Sequence, residues 1–158
     1  MDFDCAIRTL RPEELDAARE LVWRVFLAYE APDYPREGAE EFYKSIHEEA
    51  YLSTLCWYGA FAQERLLGVL ATRNAGAHIA LFFVDGQYHR RGIGKRLFQA
   101  ARRASPCGRM TVHASPYAVP VYHRLGFRDT DTEQTFRGLR FTPMALPARE
   151  KEEPERHA

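Results

Sequence analysis

Apolar residues recur along this chain with two different periods, and the changes of period divide it into elements. Cys5-Ala6-Ile7-Arg8-Thr9-Leu10 reads as a short strand. Pro12, Glu13 and Glu14 suit the first turn of a helix, where a missing N–H is tolerated and a carboxylate is favoured. Leu15, Ala18, Val22, Val25, Phe26 and Tyr29 follow at spacings of three and four, one face of that helix. Ala31-Pro32-Asp33-Tyr34-Pro35 breaks it, and a second helix is expected over 37–49. Segments 57–63 and 66–73 are β-like and predict a hairpin, with Glu64-Arg65 between them. His78-Ile79-Ala80-Leu81-Phe82-Phe83-Val84 is a nearly continuous apolar run, which predicts a strand covered on both faces.

After that strand come Asp85-Gly86-Gln87-Tyr88-His89-Arg90-Arg91-Gly92-Ile93-Gly94 and a helix with Ile93, Leu97, Ala101 and Ala104 on one face. Ser105-Pro106-Cys107-Gly108 ends it. A strand is expected over 110–114, a short helix over 119–125 stopped by Gly126, and further strands over 127–131 and 135–146. The order is β-α-α-β-β-β-α-β-α-β-β, a mixed α/β domain with one βαβ unit in the middle. Residues 1–146 are expected to form one domain, and the apolar-poor tail, 147–158, to fray.

Composition narrows the class. At 158 residues and 46% hydrophobic, the chain fits one globular domain. No apolar run approaches the ~20 residues of a membrane span. The first ten residues lack the basic and apolar regions of a signal peptide, so none is expected. Cys5, Cys56 and Cys107 form no CxxC pair, which argues against a disulfide framework or thiolate metal site and fits a reducing cytoplasm. The 22 basic and 22 acidic residues cancel, but not locally. Residues 1–85 hold 8 basic and 15 acidic side chains, and residues 86–128 hold 9 basic and none acidic. A carboxylate-free stretch of this length points to an anionic ligand, or else to a solvated basic face.

The glycine turn sits at the start of that stretch. A helix N-terminus offers unpaired N–H groups and the positive end of a dipole, which together bind phosphate. Gly92 and Gly94 remove Cβ atoms, so a ligand can approach the backbone, and Arg90, Arg91, Lys95 and Arg96 add charge. A diphosphate fits; a tight turn with solvated arginines is the alternative. There is no GxxxxGKS/T, which argues against a P-loop. Leu97 follows where a GxGxxG dinucleotide turn needs its third glycine.

His89-Arg90-Arg91-Gly92-Ile93-Gly94 resembles the Gln/Arg-x-x-Gly-x-Gly/Ala motif of the GCN5-related N-acetyltransferase (GNAT) superfamily. Ala118, Tyr122 and Leu125-Gly126-Phe127 are similar to that family's second signature, 28 residues on from Gly94 to Tyr122. The order of elements matches over 5–146. The resemblance implies a mixed, mostly antiparallel central sheet with a splayed strand pair and helices on both faces. It also implies acetyl-CoA as cosubstrate, with no metal. Phe82, Phe83 and Val84 would then meet the pantetheine through their backbone, and a backbone N–H near Val84 the developing oxyanion. His89, Arg90, Arg91, Gly92, Ile93, Gly94 and Lys95 would surround the pyrophosphate. Ser115 stands where the family often has Asn, and His89 where it has Gln or Arg, which alters single side-chain contacts to the cofactor. Tyr122 matches the usual general acid.

The expected function is transfer of an acetyl group to a primary amine, on a small molecule or a protein, by direct attack. A non-catalytic acyl-CoA-binding sensor or partner module shares the same motifs. Glu30, Asp33, Asp85, His113 or a water chain could serve as the base, because an amine of pKa near ~10 must lose a proton. His78 and His123 read as structural or solvent-facing. No membrane partner is expected, a homodimer is compatible with the family, and the acidic remainder of the chain argues against nucleic acid.

Overall fold

The computed structural model describes residues 4–148. Of the tail expected to fray from 147, all but the first two residues lie outside that range. In chain order the elements are β1 (Ala6–Thr9), α1 (Leu15–Val25), α2 (Arg36–Ser45), α3 (Glu49–Leu52), β2 (Cys56–Ala62), β3 (Arg65–Arg73) and β4 (His78–Val84). They continue with α4 (Ile93–Ala104), β5 (Met110–Ala114), α5 (Val119–Arg124), β6 (Arg128–Asp129), β7 (Gln134–Phe136) and β8 (Leu139–Leu146).

Two sequence expectations need correction. The helix expected over 37–49 is two helices, because Ile46 closes α2 and its N–H still bonds the Phe42 carbonyl at 3.1 Å, while Glu48 is extended. The strand expected over 135–146 is a hairpin. Arg137 and Gly138 both take positive φ, 49° and 84°, and the chain turns back so that Phe136 faces Leu139. A two-residue turn of this hand matches the twist of paired strands.

The sheet runs β1-β2-β3-β4-β5-β8-β6, with β7 paired to β8. Every pairing is antiparallel except β4 with β5, the product of the single βαβ crossover through α4. One core lies under α4 and α5, around Leu67, Leu70, Leu97, Phe98, Met110 and Phe127. The other lies under α1 and α2, around Leu21, Val22, Phe26, Val69 and Phe83. The apolar run of β4 is therefore covered on both faces, as its composition predicts.

One irregularity shapes everything that follows. Ala71 faces Leu81 while Thr72 faces Ile79, so Ala80 is an extra residue on β4. Ala80 and Leu81 consequently both turn toward the α1/α2 core, and Phe82 and Val84 turn toward the α4/α5 core. The parallel pairing of β4 with β5 covers only His78↔Thr111 and Ile79↔Val112 and stops at this bulge. Beyond it the two strands part.

Candidate active site

Two clefts occupy the gap between β4 and β5. One, of ≈ 440 Å³, lies beside the glycine turn and is lined by Tyr29, Val84, His89, Arg90, Gly92, Gly94, Lys95 and Arg124 among others. The second, of ≈ 550 Å³, lies toward α2 and the β7–β8 hairpin. They share Glu30, Phe82, Phe83, Ala118 and Tyr122, so they meet at those side chains.

The first cleft is built for an anion. Gly92 caps α4 with φ 81°, no side chain caps the helix among the described residues, and a Cβ on Gly92 would meet nothing within 4 Å. The leading N–H groups of α4 therefore face open space, with Arg90, Lys95 and Arg124 around them. Arg90 itself takes φ 64°, a left-handed conformation that costs a non-glycine residue about 1 kcal/mol. Such strain is often stored where a loop is shaped for a ligand. Along the wall, the Asp85 N–H donates to the Leu67 carbonyl at 2.8 Å, so strand alternation turns the N–H groups of Val84 and Phe82 to the open edge. Phe83 lies between them with its backbone toward β3.

Not every residue expected near the turn lies in that cleft. His89 does, but its Nε2–H donates to the Val84 carbonyl at 2.7 Å, tying the turn to the end of β4. Arg91 lies against the Tyr88 ring, 6.0 Å from its centroid. Arg96 leaves the turn altogether and donates to the Cys5 carbonyl at 2.7 Å. Ile93 is buried beneath the helix start and lines the same cleft. Ser115 lines the second cleft instead. Its hydroxyl accepts the Ala118 N–H at 3.2 Å and lies within hydrogen-bonding range of the Glu30 carboxyl and the Tyr34 hydroxyl.

The junction carries two ionisable groups. Glu30 ends a π-helical turn, Phe26–Glu30, that extends α1 by a wider loop of backbone. Burial pushes its carboxyl up to about 7, against the Ser115 hydroxyl, which favours the anion; the Asp33 charge adds to the rise. Tyr122 is buried on α5, edge-on to Phe82 at 6.1 Å and to Phe127 at 5.2 Å. Burial, and then the Glu30 charge, push its phenol far above the ordinary tyrosine range, so it remains a donor.

The other sequence candidates for a base are placed differently. Asp33 is exposed. Asp85 is buried, but it accepts the Gln87 N–H at 3.0 Å and lies 3.4 Å from Arg24 and 3.9 Å from Arg65, so it holds the loop rather than the cleft. His113 lines the second cleft between His78 and Phe141. His78 bonds the Thr111 hydroxyl at 2.7 Å, and His123 pairs with Asp129 at 2.7 Å, both away from the junction.

A GNAT acetyltransferase domain model matches residues 30–148, most of the chain. The chain belongs to the GNAT acetyltransferase family. A GCN5-related N-acetyltransferase from Rhodopseudomonas palustris is 22% identical, with a TM-score of 0.81 over 92% of this chain and 97% of that one. The PaiA N-acetyltransferase of Thermoplasma acidophilum, solved with coenzyme A, is 19% identical, with a TM-score of 0.74 over 91% and 99%. The ribosomal-protein-S18-alanine N-acetyltransferase of Escherichia coli is 15% identical, with a TM-score of 0.60 over 96% and 98%. No curated protein matches the chain. The family and fold expected from the two motifs are thus confirmed. Among the described residues no helix is long and apolar enough to cross a membrane, and no three His, Cys, Asp or Glu gather where they could hold a metal ion.

Sequence reasoning missed Tyr29, Tyr117 and Arg124 in the first cleft and Tyr34 and Arg73 in the second. Arg124 had a readable signal, since it lies in the carboxylate-free stretch two residues after Tyr122. The tyrosines had none, because only the folded chain brings Tyr29 and Tyr117 to 5.4 Å.

Proposed function

We propose that the chain is an acetyl-CoA-dependent N-acetyltransferase that moves the acetyl group to a primary amine in one direct step. The observation that carries this reading is the junction. A carboxyl with a raised pKa and a phenol held protonated both face the point where an anion-binding cleft meets a second, aromatic-lined one. Acetyl-CoA fits the first cleft: its pyrophosphate matches the start of α4, its extended arm matches the free edge at Phe82 and Val84, and two structural neighbours hold coenzyme A. When bound, it supplies the thioester.

The chain's own groups then divide the work. Glu30, ionised, takes the proton from the acceptor ammonium and leaves a neutral nucleophile. The Val84 N–H at the open edge meets the oxygen charge that develops as the nitrogen–carbon bond forms. As the carbon–sulfur bond breaks, Tyr122 donates its hydroxyl hydrogen to the departing sulfur, and the proton that the nitrogen sheds on becoming the amide restores the phenol. Ser115 holds Glu30 in place, and Phe82 and Phe83 keep water from the junction.

Incubation with acetyl-CoA and a broad panel of primary amines should release CoA thiol in step with amine acetylation. Tight acetyl-CoA binding with no turnover on the panel would favour a non-catalytic binding module.

A further inference from the structure

The second cleft carries four charged side chains besides its aromatic wall, Glu30, Glu41, Arg73 and Arg140, and the described residues form ion pairs with only two of them. Glu41 is paired with Arg137 at 3.2 Å. Arg140 is paired with Glu133 at 3.3 Å and donates to the Asp33 carbonyl at 3.3 Å. Glu30 lies against the Ser115 hydroxyl and has no ion pair among the described residues. Arg73, the last residue of β3, has no ion pair among the described residues, and its Nε is buried with no hydrogen-bond partner. Arg73 thus lines the cleft wall as a guanidinium whose charge no carboxylate among the described residues balances, and a desolvated charge left unbalanced favours an anionic partner.

The two unpaired charges stand at opposite ends. Glu30 meets Ser115 just past the end of β5. Arg73 pairs in register with His78, which faces Thr111 near the start of β5. Ser115 lies four residue steps on from Thr111, roughly 13 Å of extended chain, and both Glu30 and Arg73 line the cleft between those ends. Between them Phe26, Phe42 and Tyr34 stack, with centroids 4.1 Å and 5.8 Å apart from Phe26. His78 and His113 flank Arg73, and burial followed by the Arg73 charge lowers both below the ordinary histidine range. They are neutral at pH 7, so Arg73 is the fixed cation there.

We propose that the acceptor is an amine carrying an anionic group, a carboxylate, at the far end of an extended apolar spacer, with the amine at Glu30 and the carboxylate on Arg73. The assignment rests on the acetyltransferase reading of the cleft and names the class of substrate within it. A guanidinium suits a carboxylate because two parallel N–H groups meet two oxygens.

The test compares aminohexanoate and aminooctanoate with the amino alcohols of equal length, read as CoA release. Wild type should favour the amino acids by roughly 10- to 100-fold in kcat/KM, the range for a charge-assisted pair in a low-dielectric cleft. Arg73→Gln should erase that preference by slowing the amino acids alone, Arg73→Lys should keep part of it, and Arg73→Glu should turn it toward diamines. Equal kcat/KM for acids and alcohols in wild type, or an unchanged preference in Arg73→Gln, would overturn the assignment while leaving acetyl transfer intact. If none of the broad amine panel is turned over either, the acetyltransferase reading fails, and calorimetric binding of aminooctanoate decides the rest. Weaker binding by Arg73→Gln supports a carboxylate site, and equal binding refutes it.

Discussion

Replacing Glu30 with Gln should weaken catalysis and strengthen the fold at the same time. The native carboxyl titrates at about 7 instead of 4.5, because burial disfavours its charge. The unfolded chain therefore gives up this proton at lower pH than the native one. Between about pH 4.5 and 7 the native state binds more protons than the unfolded state, so this group's contribution to stability falls as pH rises and then levels off. One pKa unit is about 1.4 kcal/mol, so keeping Glu30 ionised at pH 8 costs about 3 kcal/mol. Glu30→Gln removes that cost, and its amide oxygen can still accept the Ser115 hydroxyl.

Urea denaturation at pH 4 and pH 8 should show little difference between the two proteins at pH 4 and a variant more stable by about 3 kcal/mol at pH 8. In the CoA-release assay the same variant should lose roughly 10²–10⁴-fold in kcat, the usual range for a general base, with acetyl-CoA affinity unchanged. Wild-type kcat/KM should rise through about pH 7 as Glu30 ionises, and Glu30→Gln should lose that inflection and keep only the ionisation of the amine. A variant that keeps the inflection near 7, or gains no stability at alkaline pH, would refute the reasoning.

Two further outcomes test the site and its surroundings. Tyr122→Phe keeps the ring contacts with Phe82 and Phe127, so it should lower kcat while acetyl-CoA affinity, read by calorimetry, stays the same; an unchanged kcat would remove the phenol from the reaction. Gly138→Ala places a Cβ against the Gly38 backbone at φ 84°, which should cost about 1–2 kcal/mol from conformation alone and raise KM for the amine but not for acetyl-CoA. An unchanged amine KM would show that the β7–β8 hairpin does not shape the cleft.

Much of the frame was legible because it depends on local pattern. The unbroken run of β4 announced a strand covered twice, and Gly92 and Gly94 announced the opening of α4. The bulge at Ala80 was not legible, since an alanine in an apolar run carries no mark of which face it joins. The β7–β8 turn was half legible: Gly138 suits a positive φ, but Arg137 before it is not the Asn or Asp that usually signals such a turn. Four candidates for the base could not be separated by sequence because their partners are remote. Asp85 is neutralised by Arg24, 61 positions away, whereas Glu30 is delivered to the junction by one wider turn at the end of α1.

The parting of β4 from β5 also bears on traffic. It leaves the molecule two clefts in one gap, which among the described residues share Glu30, Phe82, Phe83, Ala118 and Tyr122. Neither visitor crosses the other's place on its way in or out. For the proposed acetyl transfer, spent CoA would compete with fresh acetyl-CoA alone, and the acylated product with the amine alone. Direct transfer as proposed would need both partners resident together, and neither would have to wait for the other to leave.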